Sequence, residues 1–196
     1  LYDLLDREQP ETDLRTATVN ALMQRFAVDT AHAERVAATA CALFRQAAAP
    51  GSERAERKLE WAAKLHEVGC RISHSDYHRH GAYILDNTDA AGFALPELHR
   101  LGILVLGQRG KVRKLEADLS DASFALQLIC LRLAVALCHA RRAPDITEMQ
   151  LLMEPGTFTL KIPSRWPQAF PQSAHLLQEE MVAWQKTPWE LRVQAD

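Results

Sequence analysis

No hydrophobic run in this 196-residue chain approaches the ~20 residues a bilayer span requires. Its opening stretch, LYDLLDREQPETDLR, is charged and lacks the apolar core of a secretory signal. An excess of either charge is missing too: 23 Lys and Arg stand against 25 Asp and Glu. The formal net charge of −2 argues against a nucleic-acid binder, and none is expected as a partner. The four cysteines, Cys41, Cys70, Cys130 and Cys138, form no C-x-x-C pair, and each lies among apolar residues. That pattern suits buried, reduced thiols in a cytoplasmic protein, with peripheral association at the inner membrane left open. There are no internal repeats, no low-complexity tracts, no glycine-rich phosphate loop beside a strand and no paired acids on strands. The remaining composition, 47% hydrophobic and 24% charged, is that of an ordinary globular chain of one medium or two small domains. The first residue is Leu rather than Met, which predicts a piece of a longer chain.

Helical periodicity fills the first three quarters. ETDLRTATVNALMQRFAVD sets Leu14, Val19, Leu22, Met23 and Phe26 on one face, opposite Arg15, Gln24 and Arg25. The next helix opens at Asp29 or Thr30 as N-cap, turns Ala33, Val36, Ala37, Ala40 and Phe44 inward, and stops at Pro50-Gly51. A third is read with Ser52 as cap, Leu59, Ala62, Ala63 and His66 on one side, and Gly69 as C-cap. RHGAYILDNT and LPELHRLGILVLGQR predict two more, followed by a loop, GKVRKLEADLSD. In SDASFALQLICLRLAVALCHARR only Gln127 and Arg132 are large and polar before His139, so this helix belongs at the centre of a bundle.

Alternation takes over after Pro144. DITEMQLLMEP-GTFTLKIP predicts a hairpin about a Pro-Gly turn, with Phe158, Leu160 and Ile162 on one face. PQSAHLLQEEMVAWQKT is an amphipathic helix and WELRVQ a last strand. The predicted fold is mainly α: a helical bundle over 1–143, then a small ββαβ (α+β) module over 144–196. Trp61, Trp166, Trp184 and Trp189 are expected in the core or an interface, whereas His99, His139 and His175 carry no usable pattern.

His32 on one helix and His66-Glu67 on the next resemble the first ligands of the HD phosphohydrolase fold, in which His, His-Asp and a later Asp hold a metal that activates water. The closing acid is missing: LRLAVALCHA has Val135 where the fold has Asp, and Glu67 is one methylene longer than Asp. The expectation is therefore an HD-like domain with a degenerate site at His32, His66 and Glu67 that holds no metal, Arg132 supplying the charge Glu67 needs.

Two basic connections stand apart from that cluster. LHEVGCRISHSDYHRHGAYIL brings His74, His78, Arg79 and His80 to the start of a helix, where N–H groups also suit phosphate oxygens. GQRGKVRK adds Arg109, Lys111, Arg113 and Lys114. A solvated loop face remains an alternative on spacing alone. The first stretch also resembles the C-terminal region of the exopolyphosphatase / guanosine pentaphosphate phosphohydrolase (Ppx/GppA) family. Its pattern L-H-E-x-G, then I-x-H-S-x-x-H-R-H-x-A-Y-I, fits Leu65, His66, Glu67, Gly69, Ile72, His74, Ser75, His78, Arg79, His80, Ala82, Tyr83 and Ile84. Asp13, Arg15 and Thr18 are similar to the family's D-I-R-x-R-T helix, with Ala17 in place of its second Arg. LRLAVALCHAR and the tail FTLKIPSRW…LLQEEMVAWQ resemble later segments, so the resemblance runs from about Tyr2 to Gln194.

The resemblance implies that this is the non-catalytic part of an exopolyphosphatase. N-terminal actin-like domains, absent here, would carry the catalytic acids and Mg²⁺ and release terminal phosphate from inorganic polyphosphate or guanosine pentaphosphate. The part present would bind the polyphosphate chain, through His74, His78, Arg79, His80, Arg109, Lys111, Arg113 and Lys114, and contribute to a homodimer. It would need no cofactor of its own. The second basic run departs from the family's His-Arg-basic triplet, reading Gln108-Arg109-Gly110. Two other readings remain: an active HD-type metal-dependent nucleotide phosphohydrolase, and a pure assembly or sensing domain. If the histidines bind phosphate as imidazolium, affinity should rise as pH falls through roughly 6.5.

Overall fold

The computed structural model describes the backbone of residues 2–195 and the side chains of residues 14–195, so the match at Asp13 lies outside the described side chains. The helix that the sequence leaves without a polar face, α6 (Ala122–Leu137), is buried at every residue from Phe124 to Ala134. Asp121 starts it: its Oδ1 accepts the N–H groups of Ser123 and Phe124 at 2.9 and 3.3 Å. Burial on all sides leaves its two large polar residues no water, and both find protein partners. Gln127 Nε2 donates to the Ala55 carbonyl at 2.7 Å. Arg132 donates to the Gly107 carbonyl at 2.6 Å and forks onto both carboxylate oxygens of Glu180 at 2.7 and 2.8 Å.

Around α6 lie α2 (Thr30–Ala47), α3 (Glu53–Lys64) and α5 (Leu95–Gly107) on the bundle side. α1 (Tyr2–Arg25) packs on α3, and α4 (Tyr77–Asp86) on α5. α2 begins at Asp29, whose carboxylate accepts the His32 N–H at 3.0 Å. Its inward set, with Ala33, Val36, Ala37, Ala40 and Phe44, is buried as its periodicity requires. Among the described residues no helix is long and apolar enough to cross a membrane. Cys41, Cys130 and Cys138 are buried and Cys70 is half-buried; all four are free thiols.

The chain's last part is a three-stranded sheet, β1 (Gln150–Glu154), β2 (Thr157–Ile162) and β3 (Glu190–Ala195), in that order. β1 and β2 are antiparallel, Gln150 facing Lys161 and Glu154 facing Thr157 about the Pro155-Gly156 turn. β2 and β3 are parallel, Thr157 facing Glu190 and Ile162 facing Ala195, so a crossover must join them. It consists of α7 (Trp166–Ala169) and α8 (Pro171–Trp184). Phe158, Leu160 and Ile162 are buried, and Phe158 stacks on Trp189 at 4.6 Å and meets Trp184 edge-on at 5.7 Å. All four tryptophans are buried. Sheet and bundle share one buried core. Gln46 stitches them, donating to the Met149 carbonyl at 3.2 Å and accepting from Leu151 N at 2.7 Å, while Trp189 Nε1 donates to the Leu119 carbonyl at 2.9 Å.

Several local expectations need correction. α3 ends at Lys64, so His66 and Glu67 stand in the turn beyond it rather than on the helix. Gly69 is not its C-cap; it lies in a 3₁₀ turn, Val68–Arg71, pressed against α4. Ser52 occupies the N-cap position, but its hydroxyl donates to the Ala49 carbonyl at 2.7 Å instead of capping. Leu14 is exposed, and Arg15, assigned to the solvated face, bonds the Gly92 carbonyl at 2.7 Å and Glu97 at 3.2 Å. The loop after α5 contains two 3₁₀ turns, Val112–Leu115 and Asp118–Ser120, that bury Val112, Leu115 and Leu119. Strand β1 starts only at Gln150, because Asp145 turns the preceding chain by accepting from Thr147 N at 3.0 Å.

A β-carbon on Gly69 would overlap the Tyr77 carbonyl oxygen and lie 2.6 Å from Gly81 N, both backbone atoms that cannot swing aside. Gly69→Ala is therefore expected to cost about 2–4 kcal/mol in urea unfolding. Gly51→Ala, at φ +85° in open space, should cost only the strain of the left-handed region, about 1 kcal/mol. Equal losses at the two positions would contradict this packing.

Candidate functional site

Tyr77 opens α4, and the basic residues around it are sorted by the local backbone. His74 is exposed in the turn before the helix; Arg79 and His80 lie on its first turn, Arg79 exposed and 3.3 Å from Asp76. His78 points inward and is buried, with its Nδ1 unpartnered. Burial holds its pKa below the usual 6.5, and the Arg79 and Arg109 charges press it the same way. At neutral pH His78 is therefore an uncharged ring and not one of the surface cations expected from the sequence. In the 3₁₀ turn after α5, Val112 and Leu115 enter the core, which turns Arg113 and Lys114 outward beside exposed Arg109 and Lys111. Among the described residues none of these four cations has an ion-pair partner, unlike Arg79.

The two connections meet. The Arg109 guanidinium lies over the Tyr77 ring at 5.4 Å. Gly110, at φ +84°, comes so close to His78 that a β-carbon there would stand 3.8 Å from Nε2. Beside this junction a cleft of about 450 Å³ opens between α6 and α8, lined by Tyr77, Gln108, Arg109, Arg132, His139 and Glu180 among others. Gln108 Oε1 is buried without a partner, while its Nε2 donates to the His66 carbonyl at 3.2 Å. Val135 lines the same cleft. Sequence periodicity could not find Gln108, His139 or Glu180, because the cleft is made only when α8 docks against α6.

His32, His66 and Glu67 do converge: one donor atom from each lies within 4.8 Å of the others. The imidazoles are 5.6 Å apart, tilted by 58°. His66 Nδ1 bonds the Ala63 carbonyl at 2.7 Å, and this bond fixes the ring. Burial lowers the His66 pKa to about 4 against an opposing pull from Glu67, and lowers that of His32 for the same reason. Both rings are neutral near pH 7 and keep lone pairs. The charge partner of Glu67, however, is not Arg132, which Glu180 holds. It is Arg141, whose guanidinium donates to Glu67 at 3.1 Å and to Asp29 at 2.7 Å. Nothing in HARRAPD marks Arg141 as that partner, since it sits beyond the last helical turn at φ +54°.

The residues present fit a divalent metal in donor type but not in charge. A dication bonded at about 2 Å to Glu67 would stand within roughly 5 Å of the guanidinium, a repulsion of a few kcal/mol even after solvent screening. The position where the HD pattern needs an acid carries the methyls of Val135.

The profile of a family described as Ppx/GppA phosphatase, domain III, matches residues 14–182. The chain is similar to proteins named guanosine-5'-triphosphate,3'-diphosphate pyrophosphatase. It is 31% identical over 198 residues to one from Vibrio atlanticus (strain LGP32), with 98% of this chain and 40% of that protein covered. It is 32% identical over 200 residues to one from Aeromonas hydrophila and 30% over 201 residues to one from Pseudoalteromonas translucida, with the same coverages. The chain thus spans about 40% of the length of these curated relatives.

Neutral buried histidines make stability depend on pH in a definite direction. With a folded pKa below the unfolded 6.5, the unfolded chain binds more protons between the two values, so stability rises with pH there. Urea unfolding should show full stability above about pH 6.5 and a loss as pH falls toward 4, His66 contributing up to about 1.4 kcal/mol per pH unit. His66→Gln should remove that share of the slope. An unchanged slope would mean that His66 is charged in the folded protein.

Proposed function

The chain belongs to the Ppx/GppA phosphatase family, in which it is domain III, and from that premise we propose that it is the non-catalytic C-terminal region of an enzyme that releases terminal phosphate from guanosine pentaphosphate or inorganic polyphosphate. The bond-breaking residues and their Mg²⁺ belong to actin-like domains outside these 196 residues. Within the chain, an HD-like helical part over 1–143 and a ββαβ module over 144–196 hold the phosphate chain and contribute to a homodimer in the cytoplasm.

The observation that carries this reading is the junction of the two basic connections, Arg109 over Tyr77 and Gly110 against His78. Folding merges two runs separate in sequence into one surface, with Arg109, Lys111, Arg113 and Lys114 free of carboxylates among the described residues. A polyanion with roughly one charge per phosphate is held by many weak, screened contacts, and unpaired cations are the ones free to make them. His74, Arg79 and His80 extend the surface; His78 contributes only a neutral ring and shape.

A second reading, an HD-type nucleotide phosphohydrolase, is favoured by the proximity of His32, His66 and Glu67. It ranks below the first because Arg141 already occupies Glu67. Titration of the full-length protein with long-chain polyphosphate at two salt concentrations, with metal content measured on the same sample, separates the two. Under the first reading, Arg109→Glu should weaken binding roughly tenfold at low salt and flatten the dependence of log affinity on log salt by about one unit. Unchanged affinity in an Arg79→Glu, Arg109→Glu double variant would leave an assembly domain with solvated loops. Stoichiometric metal with no polyphosphate binding would favour the HD chemistry.

A further inference from the structure

Beyond Leu137 the chain makes a turn that, besides burying Cys138, fixes the position of one guanidinium. Arg141 N donates to the Cys138 carbonyl at 2.8 Å, and Arg141 is held at φ +54°, a region that residues with a β-carbon rarely adopt. Its side chain reaches two carboxylates from different elements, Asp29 Oδ2 at 2.7 Å and Glu67 Oε1 at 3.1 Å. Asp29 is also the N-cap of α2, its other oxygen accepting from His32 N at 3.0 Å. Glu67 directly follows His66. One cation therefore ties together the two segments that supply His32, His66 and Glu67.

We infer that Arg141 is the resident cation of this cluster, standing in by charge for a divalent metal, and that the donors beside it form a masked metal site. The donors are ready for such a role. His66 is oriented through Nδ1 by the Ala63 carbonyl, the same outer bond that orients metal-bound histidines, leaving Nε2 available. His32 Nδ1 is buried and has no partner in the protein, an unsatisfied polar atom of the kind that marks a missing contact. Donor atoms on one first-row metal sit about 3.3 Å apart, and the three donors here already lie within 4.8 Å of one another. Charge is what excludes the metal. Asp29 and Glu67 carry two negative charges against the single positive charge of Arg141, and removing the guanidinium takes the ion pair from both carboxylates. The chain leaving α6 thus delivers a cation to both carboxylates of the cluster.

The test is Arg141→Gln in the full-length protein, titrated with Co²⁺ and read as the visible difference spectrum against a His66→Gln, Arg141→Gln double variant, with circular dichroism as the check on folding. The expected result is one equivalent of Co²⁺ bound at least 100-fold more tightly by Arg141→Gln than by the unsubstituted protein, lost in the double variant. Arg141→Lys, which keeps the charge, should behave as the unsubstituted protein. Should Arg141→Gln unfold without metal, Co²⁺ is expected to restore its dichroism. The inference is overturned by a folded Arg141→Gln that binds no more Co²⁺ than the parent, by an unfolded one that Co²⁺ does not rescue, or by a parent protein that takes up an equivalent of Co²⁺ through His66.

Discussion

A helix with no polar face has to be surrounded, and α6 imposes that condition on the rest of this chain. Each apolar side chain along it is worth about 2 kcal/mol only once water is gone from every direction. Covering it takes α2, α3 and α5 on one side and α8 on the other. Its one buried guanidinium adds direction to the requirement. Arg132, 4% exposed, would be ruinous unpaired, and Glu180 on α8 takes both of its forks while Gly107 at the end of α5 takes a third bond. The position of the C-terminal helix is thus specified by a charge as well as by shape. The sheet behind it follows, since β2 and β3 are parallel and α8 is their crossover.

Two kinds of histidine and arginine chemistry result, at two places. Near α3 the imidazoles are buried and neutral, and the arginine is consumed: Arg141 neutralises Asp29 and Glu67. Around Gly110 the cations Arg109, Lys111, Arg113 and Lys114 are exposed and without carboxylate partners among the described residues. A charge already paired at short range has little left to offer a ligand, whereas an unpaired surface cation exchanges only a loose ion atmosphere when a polyanion arrives. That contrast, more than the number of histidines, separates a pinned structural cluster from a surface of unpaired cations. His78 lies between the two kinds: it is in the motif with the surface residues but is folded with the buried ones.

Periodicity made α2, the inward face of α3, the all-apolar α6 and the hairpin about Pro155-Gly156 legible in the sequence, because each depends on a pattern carried by neighbouring residues. The long match over Leu65–Ile84 made the family legible as well. Small features that are also local went astray where a competing contact won: Ser52 found the Ala49 carbonyl instead of its helix, and Gly69 was needed for close approach rather than for a cap.

The identities of the elements, their order and the residues that could carry charge were determined by the sequence itself. Which charge met which was decided only by the tertiary structure. Arg132 and Arg141 are equally cationic on paper, yet Glu180 claimed the first, and a left-handed turn carried the second to Glu67 across 74 positions. The reason is physical: the side-chain rhythm of a helix is set by its own backbone every few residues, whereas an ion pair is set by the packing of whole elements brought together from far apart in the chain.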